Sequence, residues 1–301
     1  MKKGLAAAGA ILTVLGLALL GYALFAADFD LSKLGADKYE TNTYTVDGAF
    51  SNIDIRTDTA DVTLKPSEDG GCRVVCVEPE KEKHTVSVEN GTLKITAVDQ
   101  RKWYERIGIV TSSPSVTVYL PELAYEALVI DNDTGDVAVP DAFSFESAAI
   151  TTDTGDVEIG AIRTGALAVK VSTGHVRVSS LDCAGNVSVT VSTGKTELTD
   201  VRCKNLRSTG DTGPITLKNV VAEEAFVIER STGDVRFEGC DAAEITVDTD
   251  TGDVTGTLRT EKVFITKTDT GSVRVPDTAA GGRCKITTDT GDIRITLSGG
   301  R

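Results

Sequence analysis

The residues with the most chemistry to offer are aspartates that recur at a fixed interval. One set comprises Asp133, Asp153, Asp211, Asp250, Asp269 and Asp289, and a second comprises Asp136, Asp156, Asp234, Asp253 and Asp292. Stacked about 5 Å apart such carboxylates repel one another, and a hard cation such as Ca²⁺, which takes oxygen ligands, would relieve that repulsion. The sets suited to Ca²⁺ are Asp250, Asp253, Asp289 and Asp292, or Asp133, Asp136, Asp153 and Asp156. The competing reading makes these residues corner formers that splay into water. It is favoured because Ser172, His175, Ser192 and Lys195 interrupt the columns and the glycine-rich Ca²⁺-binding nonapeptide is absent. Paired carboxylates could also cleave glycosidic bonds, but that needs a loop-walled groove and a defined carboxylate separation. The repeats hardly vary in length, so no catalytic residue is assigned and an enzyme is not expected.

Other candidates are sparse. Asp99-Gln100-Arg101-Lys102-Trp103-Tyr104-Glu105-Arg106 is a basic, aromatic loop in an acidic, aromatic-poor chain, and Trp103 and Tyr104 are its candidate partner contacts. Packing over the end of the fold is the alternative. His84 and His175, the only histidines, have no neighbouring nucleophile or metal-ligand spacing and read as surface residues. Of the six cysteines, Cys72 and Cys76 would lie about 13 Å apart on a straight strand, too far for a bridge. Cys183 and Cys203 each fall nine residues after a repeat glycine, which puts them in one column about 5 Å apart, within disulfide range. Free thiols packed as small apolar groups are the other reading. Cys284 reads as core.

These residues are positioned by a repeat. Thr-Gly recurs at Gly135, Gly155, Gly174, Gly194, Gly213, Gly233, Gly252, Gly271 and Gly291, at intervals of 20, 19, 20, 19, 20, 19, 19 and 20 residues. Alternating apolar residues follow each glycine, as in Val157/Ile159 and Val235/Phe237, and a second alternating set, such as Val187/Val189/Val191, precedes the next one. Alternation is the period of a half-buried strand. A repeat this short has no room for a crossover helix and cannot bury its inner face alone, so equivalent strands must stack in parallel. The expectation is an all-β, single-stranded parallel β-solenoid, right-handed, with rungs of 19–20 residues. At each corner Gly supplies a positive φ and the Asp or Ser before Thr-Gly accepts a local backbone N–H.

The regular array spans 126–297, with 298–301 as a tail. Ahead of it, 45–125 reads as an irregular amino-terminal β region that starts and caps the solenoid. It holds a hairpin around Asn90-Gly91 and a degenerate copy, Asp58-Thr59-Ala60-Asp61-Val62, which lies 75 residues, about four rungs, before Gly135. After Leu297 little chain remains to cover the last rung, and exposed strand edges invite end-to-end self-association.

Residues 4–27 are uncharged and long enough to cross a bilayer of roughly 30 Å as a helix. With Lys2 and Lys3 in the cytoplasm, this segment reads as a transmembrane anchor rather than a cleaved signal, followed by a linker over 28–44. The remainder would be extracytoplasmic at the cell membrane. Net charge is −14, and because Lys2 and Lys3 precede the first acidic residue, Asp28, the part beyond 27 carries 29 basic against 45 acidic residues, or −16. That surface repels nucleic acid.

Together, Ile53-Asp54-Ile55, Asp61-Val62, Asn90-Gly91-Thr92-Leu93-Lys94-Ile95, Val118-Tyr119-Leu120-Pro121 and the repeated Thr-Gly-Asp-Val resemble the bacterial putative-adhesin family of β-solenoid proteins, a domain of unknown function. The resemblance covers about residues 45–297. It implies an envelope protein that binds a polymer, glycan or surface protein without catalysis, or a structural or sensory element linked to envelope stress. A polysaccharide-acting enzyme comes third. The resemblance carries no site residues and no cofactor.

Overall fold

The computed structural model describes residues 9, 12–18, 21–22, 25, 38–99, 113–139 and 143–298. Its 26 strands form two long sheets. Each repeat contributes a strand before its glycine to one sheet and a strand after it to the other, as Ser144–Thr154 and Val157–Ile159 do. Neighbouring repeats pair in parallel and in register, so Val137, Val157, Val176, Thr196, Ile215, Val235 and Val254 form one file. The facing file on the other sheet runs through Ile130, Ile150, Val169 and Val189. All the apolar members of these two files are 2% exposed or less, and they form the core between the sheets. The solenoid expected from the period is present.

The corners explain why glycine recurs through the array from Gly135 to Gly291. Gly194 sits at φ 145°, and a Cβ there would lie 1.8 Å from the Gly174 carbonyl oxygen. Its N–H meanwhile bonds the Thr212 carbonyl at 2.8 Å, so the corners themselves are laddered.

The amino-terminal end departs from the simple picture. Rung Asn52–Thr59/Asp61–Pro66 stacks directly on rung Ala124–Thr134/Val137–Val139, and a Cβ on Gly135 would meet the Ala60 oxygen at 2.3 Å. The degenerate Ala60 corner is therefore the adjacent rung, not one four rungs away. None of the described intervening strands lies between these two rungs. Thr92–Asp99 and Ser115–Leu120 add a rung on the far side of Asn52–Thr59/Asp61–Pro66. Cys72–Pro79 and Glu82–Glu89 then pair antiparallel with those two strands, and Tyr39–Val46, which begins within the segment read as linker, closes the edge. Asn90 and Gly91, at φ 51° and 75°, make the tight turn of the expected hairpin.

The carboxy-terminal end is interleaved as well. Lys262–Thr270 and Val273–Arg274 do not stack on the preceding rung, Glu244–Thr251/Val254–Leu258. They occupy the outermost position, and the last rung, Gly282–Thr290/Ile293–Leu297, returns to fill the place between. The free edge at this end thus belongs to Lys262–Thr270, and the final strand is covered on both sides.

Among the described residues, no helix is long and apolar enough to cross a membrane. Most of the segment 4–27 lies outside the described residues.

Candidate functional site

The second aspartate column is a hydrogen-bond ladder between rungs. Oδ1 of Asp61 accepts the N–H of Asp136 at 2.9 Å, Asp136 accepts from Asp156 at 2.8 Å, and Asp156 accepts from His175 at 2.8 Å. His175 carries the ladder on, because its Nδ1 accepts the Lys195 N–H at 2.9 Å, which places the ring proton on Nε2. The ladder resumes from Asp234 to Asp253, then to Asp292, whose Oδ1 accepts the Ser272 N–H at 2.7 Å. The side chain that takes a backbone N–H therefore follows the glycine and serves the next rung, in place of the local bond expected from the residue before Thr-Gly.

These bonds bear on the Ca²⁺ candidates. Asp136, Asp156, Asp253 and Asp292 each have one carboxylate oxygen committed to the ladder, and the other oxygen of Asp292 meets Arg294. The Ser272 bonds hold the Asp292 carboxyl below its usual value. The first column has no such support. Asp133 is pushed upward by desolvation and then by the charges of Asp58 and Asp153, while Asp250 and Asp289 sit at equivalent corners of adjacent rungs. Asp153 accepts the Ser172 hydroxyl at 3.1 Å.

Cys183 and Cys203 stand in adjacent rungs of one column, as their spacing implies. Both are free thiols that point at backbone carbonyls, Cys183 at Gly165 and Asn186 and Cys203 at Val221. Burial pushes the Cys203 thiol up to about 12. Cys284 is core, fully buried. Trp103 and Tyr104 lie outside the described residues, between the strands Thr92–Asp99 and Ser115–Leu120.

Two features escaped the sequence reading. The first is a groove of about 440 Å³ along the corner opposite the glycines. Ser180, Asp200 and Asn219 turn the chain there with φ of 54°, 54° and 53° in successive rungs. The groove is lined by these residues together with Asp182, Arg202 and Arg259. Asn219 donates to Asp200 at 2.9 Å, and Arg259 reaches the Gly239 carbonyl at 2.6 Å. Polar, hydrogen-bonding side chains at rung spacing can grip a ligand that itself repeats.

The second is a buried polar cluster in the amino-terminal cap, formed by Cys76, Glu78 and His84. His84 is 4% exposed and Glu78 0%, so His84 is not the surface residue expected. Glu78 Oε2 accepts both the backbone N–H and the Nδ1–H of His84 at 2.7 Å, and Oε1 accepts from Asn42 at 2.7 Å. Thr57 Oγ1 lies 3.1 Å from His84 Nε2, and the Tyr44 hydroxyl donates to the His84 carbonyl at 3.0 Å. Desolvation, reinforced by the Glu78 charge, pushes the Cys76 thiol up to about 12. The signal was present in the strand Cys72–Pro79, whose inward series runs Cys72, Val74, Cys76, Glu78. A glutamate in an apolar inward series requires a buried partner.

Parallel rungs, a laddered glycine corner and a polar cap define a β-solenoid with no assigned catalytic centre. The chain belongs to the Toastrack DUF4097 family, whose model matches residues 50–209 and 183–300. Among solved structures it is similar to a putative adhesin from Parabacteroides merdae ATCC 43184, with 12% identity over 87% of this chain and 98% of that one and a TM-score of 0.49. A putative adhesin from Bacteroides fragilis NCTC 9343 shares 16% identity over 73% and 97% of the two chains, with a TM-score of 0.37. A putative lipid binding protein from Parabacteroides distasonis ATCC 8503 shares 13% over 74% and 98%, with a TM-score of 0.32. No curated protein matches the chain.

Proposed function

We propose that the protein is a non-catalytic binding module of the cell envelope, anchored through residues 4–27, with its solenoid outside the cytoplasm. The groove along the Ser180, Asp200 and Asn219 corner carries this reading, because it offers two arginines and a run of hydrogen-bonding groups on an otherwise acidic protein. The ligand class that suits it is an envelope glycan bearing hydroxyl and carboxylate groups, lying along the rungs. Asp200 belongs to that run of hydrogen-bonding groups, accepting from Asn219 through Oδ1. The test is binding of the full chain to cell-wall polymers and glycans, with an Arg202→Ala/Arg259→Ala variant and a Trp103→Ala/Tyr104→Ala variant. Saturable binding that weakens at least tenfold in the arginine variant is expected. Binding indifferent to the arginines, or release of shortened glycan, overturns the assignment.

A second reading, assembly with a protein partner or another copy, has its own observation. At the carboxy-terminal edge Val263, Ile265 and Val273 are 39%, 50% and 42% exposed. Sedimentation showing a strict monomer across concentrations would remove self-association.

A further inference from the structure

Three potential metal ligands lie together at the amino-terminal end, with donor atoms all within 4.8 Å of one another. Cys76 and Glu78 belong to the strand Cys72–Pro79 in one sheet, and His84 to Glu82–Glu89 in the other. We propose that Cys76, Glu78 and His84 bind one Zn²⁺ ion, which staples the two sheets together at the open end of the solenoid.

The donor types are those zinc takes, sulfur, imidazole nitrogen and carboxylate oxygen, and they supply three of its four tetrahedral positions. A tetrahedral ion with bonds of about 2.0–2.3 Å holds its ligand atoms about 3.3–3.7 Å apart. The His84 Nδ1 to Glu78 Oε2 distance therefore opens from 2.7 Å by about 0.6 Å, a side-chain adjustment. Charge balances too, since a thiolate, a carboxylate and a neutral imidazole offset the two positive charges of the ion. Neutrality matters here because Cys76 and Glu78 are each 0% exposed.

The supporting groups around the ligands are in place. Asn42 Nδ2 already holds Glu78 Oε1 at 2.7 Å, so the metal is met by Oε2, which keeps the His84 backbone N–H as its other partner. Thr57 Oγ1, 3.1 Å from His84 Nε2, accepts the ring proton once Nδ1 is coordinated. Binding moves the imidazole proton from Nδ1 to Nε2 and releases the Cys76 thiol proton to solvent, one proton per ion. The strand Tyr39–Val46, which pairs on one side only, covers the cluster. The ion enters during folding or through opening of that edge.

The test refolds the chelator-stripped full chain with Zn²⁺ or with Co²⁺ as a spectroscopic probe. One equivalent of metal, a thiolate-to-cobalt charge-transfer band and a melting temperature raised by Zn²⁺ are expected. Cys76→Ser should lose the band and weaken Zn²⁺ binding at least about 100-fold, and Thr57→Val should weaken it about 10–100-fold. Cys72→Ser, on the same strand but outside the cluster, should leave both unchanged. Should Cys76→Ser fail to fold, the wild-type cobalt spectrum and Thr57→Val decide the matter. Substoichiometric metal, a cobalt complex without the sulfur band, or equal affinity in Cys76→Ser or Thr57→Val overturns the proposal.

Discussion

Lys195 lies in the rung next to Pro214, and the two match by what each lacks. Lys195 donates its backbone N–H to His175, but its own ammonium cannot accept one from the next rung. The next rung presents proline there, which has no N–H to give. No N–H therefore faces the Lys195 ammonium, and the ladder starts again at Asp234, which accepts from Asp253.

Pro214→Ala should therefore cost more than its effect on the unfolded chain, about 0.4–1 kcal/mol, because it exposes an N–H with no side-chain acceptor in register. Adding Lys195→Asp should recover about 0.5–1.5 kcal/mol, although Lys195→Asp alone gains nothing. A double-mutant cycle by denaturant unfolding measures the coupling, and zero coupling would mean that the ladder carries no stability.

Glycine substitutions separate crowding from strain. Gly91 has φ 75° and open space where a methyl group would go, so Gly91→Ala should cost about 1–2 kcal/mol. Gly194→Ala meets the Gly174 carbonyl oxygen as well, and the loss should exceed about 3 kcal/mol. Similar melting temperatures for the two variants would refute the close-approach account.

Asp133 and Asp292 should respond oppositely to pH. Asp133 has its folded pKa raised above the ordinary 3.8, so its ionisation opposes folding, and the penalty sets in as pH rises through the folded value. Asp133→Asn should raise the melting temperature at pH 7 and do nothing near pH 3. Asp292 has its folded pKa lowered, so its contribution is present above 3.8 and fades as pH falls through the folded value. Asp292→Asn should lower the melting temperature at pH 7, with the gap closing in acid.

Lys262 and Asp241 form a buried pair at 2.7 Å, with the lysine side chain 4% exposed. Asp241→Ala strands the ammonium and should cost about 3–5 kcal/mol. Lys262→Met/Asp241→Ala should regain most of that, because the double variant buries no unpaired charge. Equal losses in single and double variants would show that packing around Asp241, not charge, is at issue.

The solenoid was legible because one constraint, the close approach at each glycine corner, is written nine times. The Cys183 and Cys203 column follows from the same arithmetic. Periodicity could not reveal the order of rungs in space, since Gly252, Gly271 and Gly291 are 19 and 20 residues apart like all the others. The excursion between Pro66 and Ala124 likewise disguised neighbours as strangers, because Ala60 and Gly135 touch across 75 residues. The ladder stayed hidden because donor and acceptor lie a full repeat apart, where local turn preferences are silent. Cys76, Glu78 and His84 meet across a reversal of the chain, and only the inward glutamate hinted at it.

The interleaved carboxy-terminal end makes the last rung a keystone. During synthesis Lys262–Thr270 emerges before Gly282–Thr290, with Glu244–Thr251 as its nearest ready partner. Pairing with that strand would be premature, because the finished protein places Gly282–Thr290 between them. A nascent chain that ends before residue 282 thus has either a detached outer rung or a wrongly closed stack, and completion requires the final segment to wedge in. The order in which this protein is made differs from the order in which it is built.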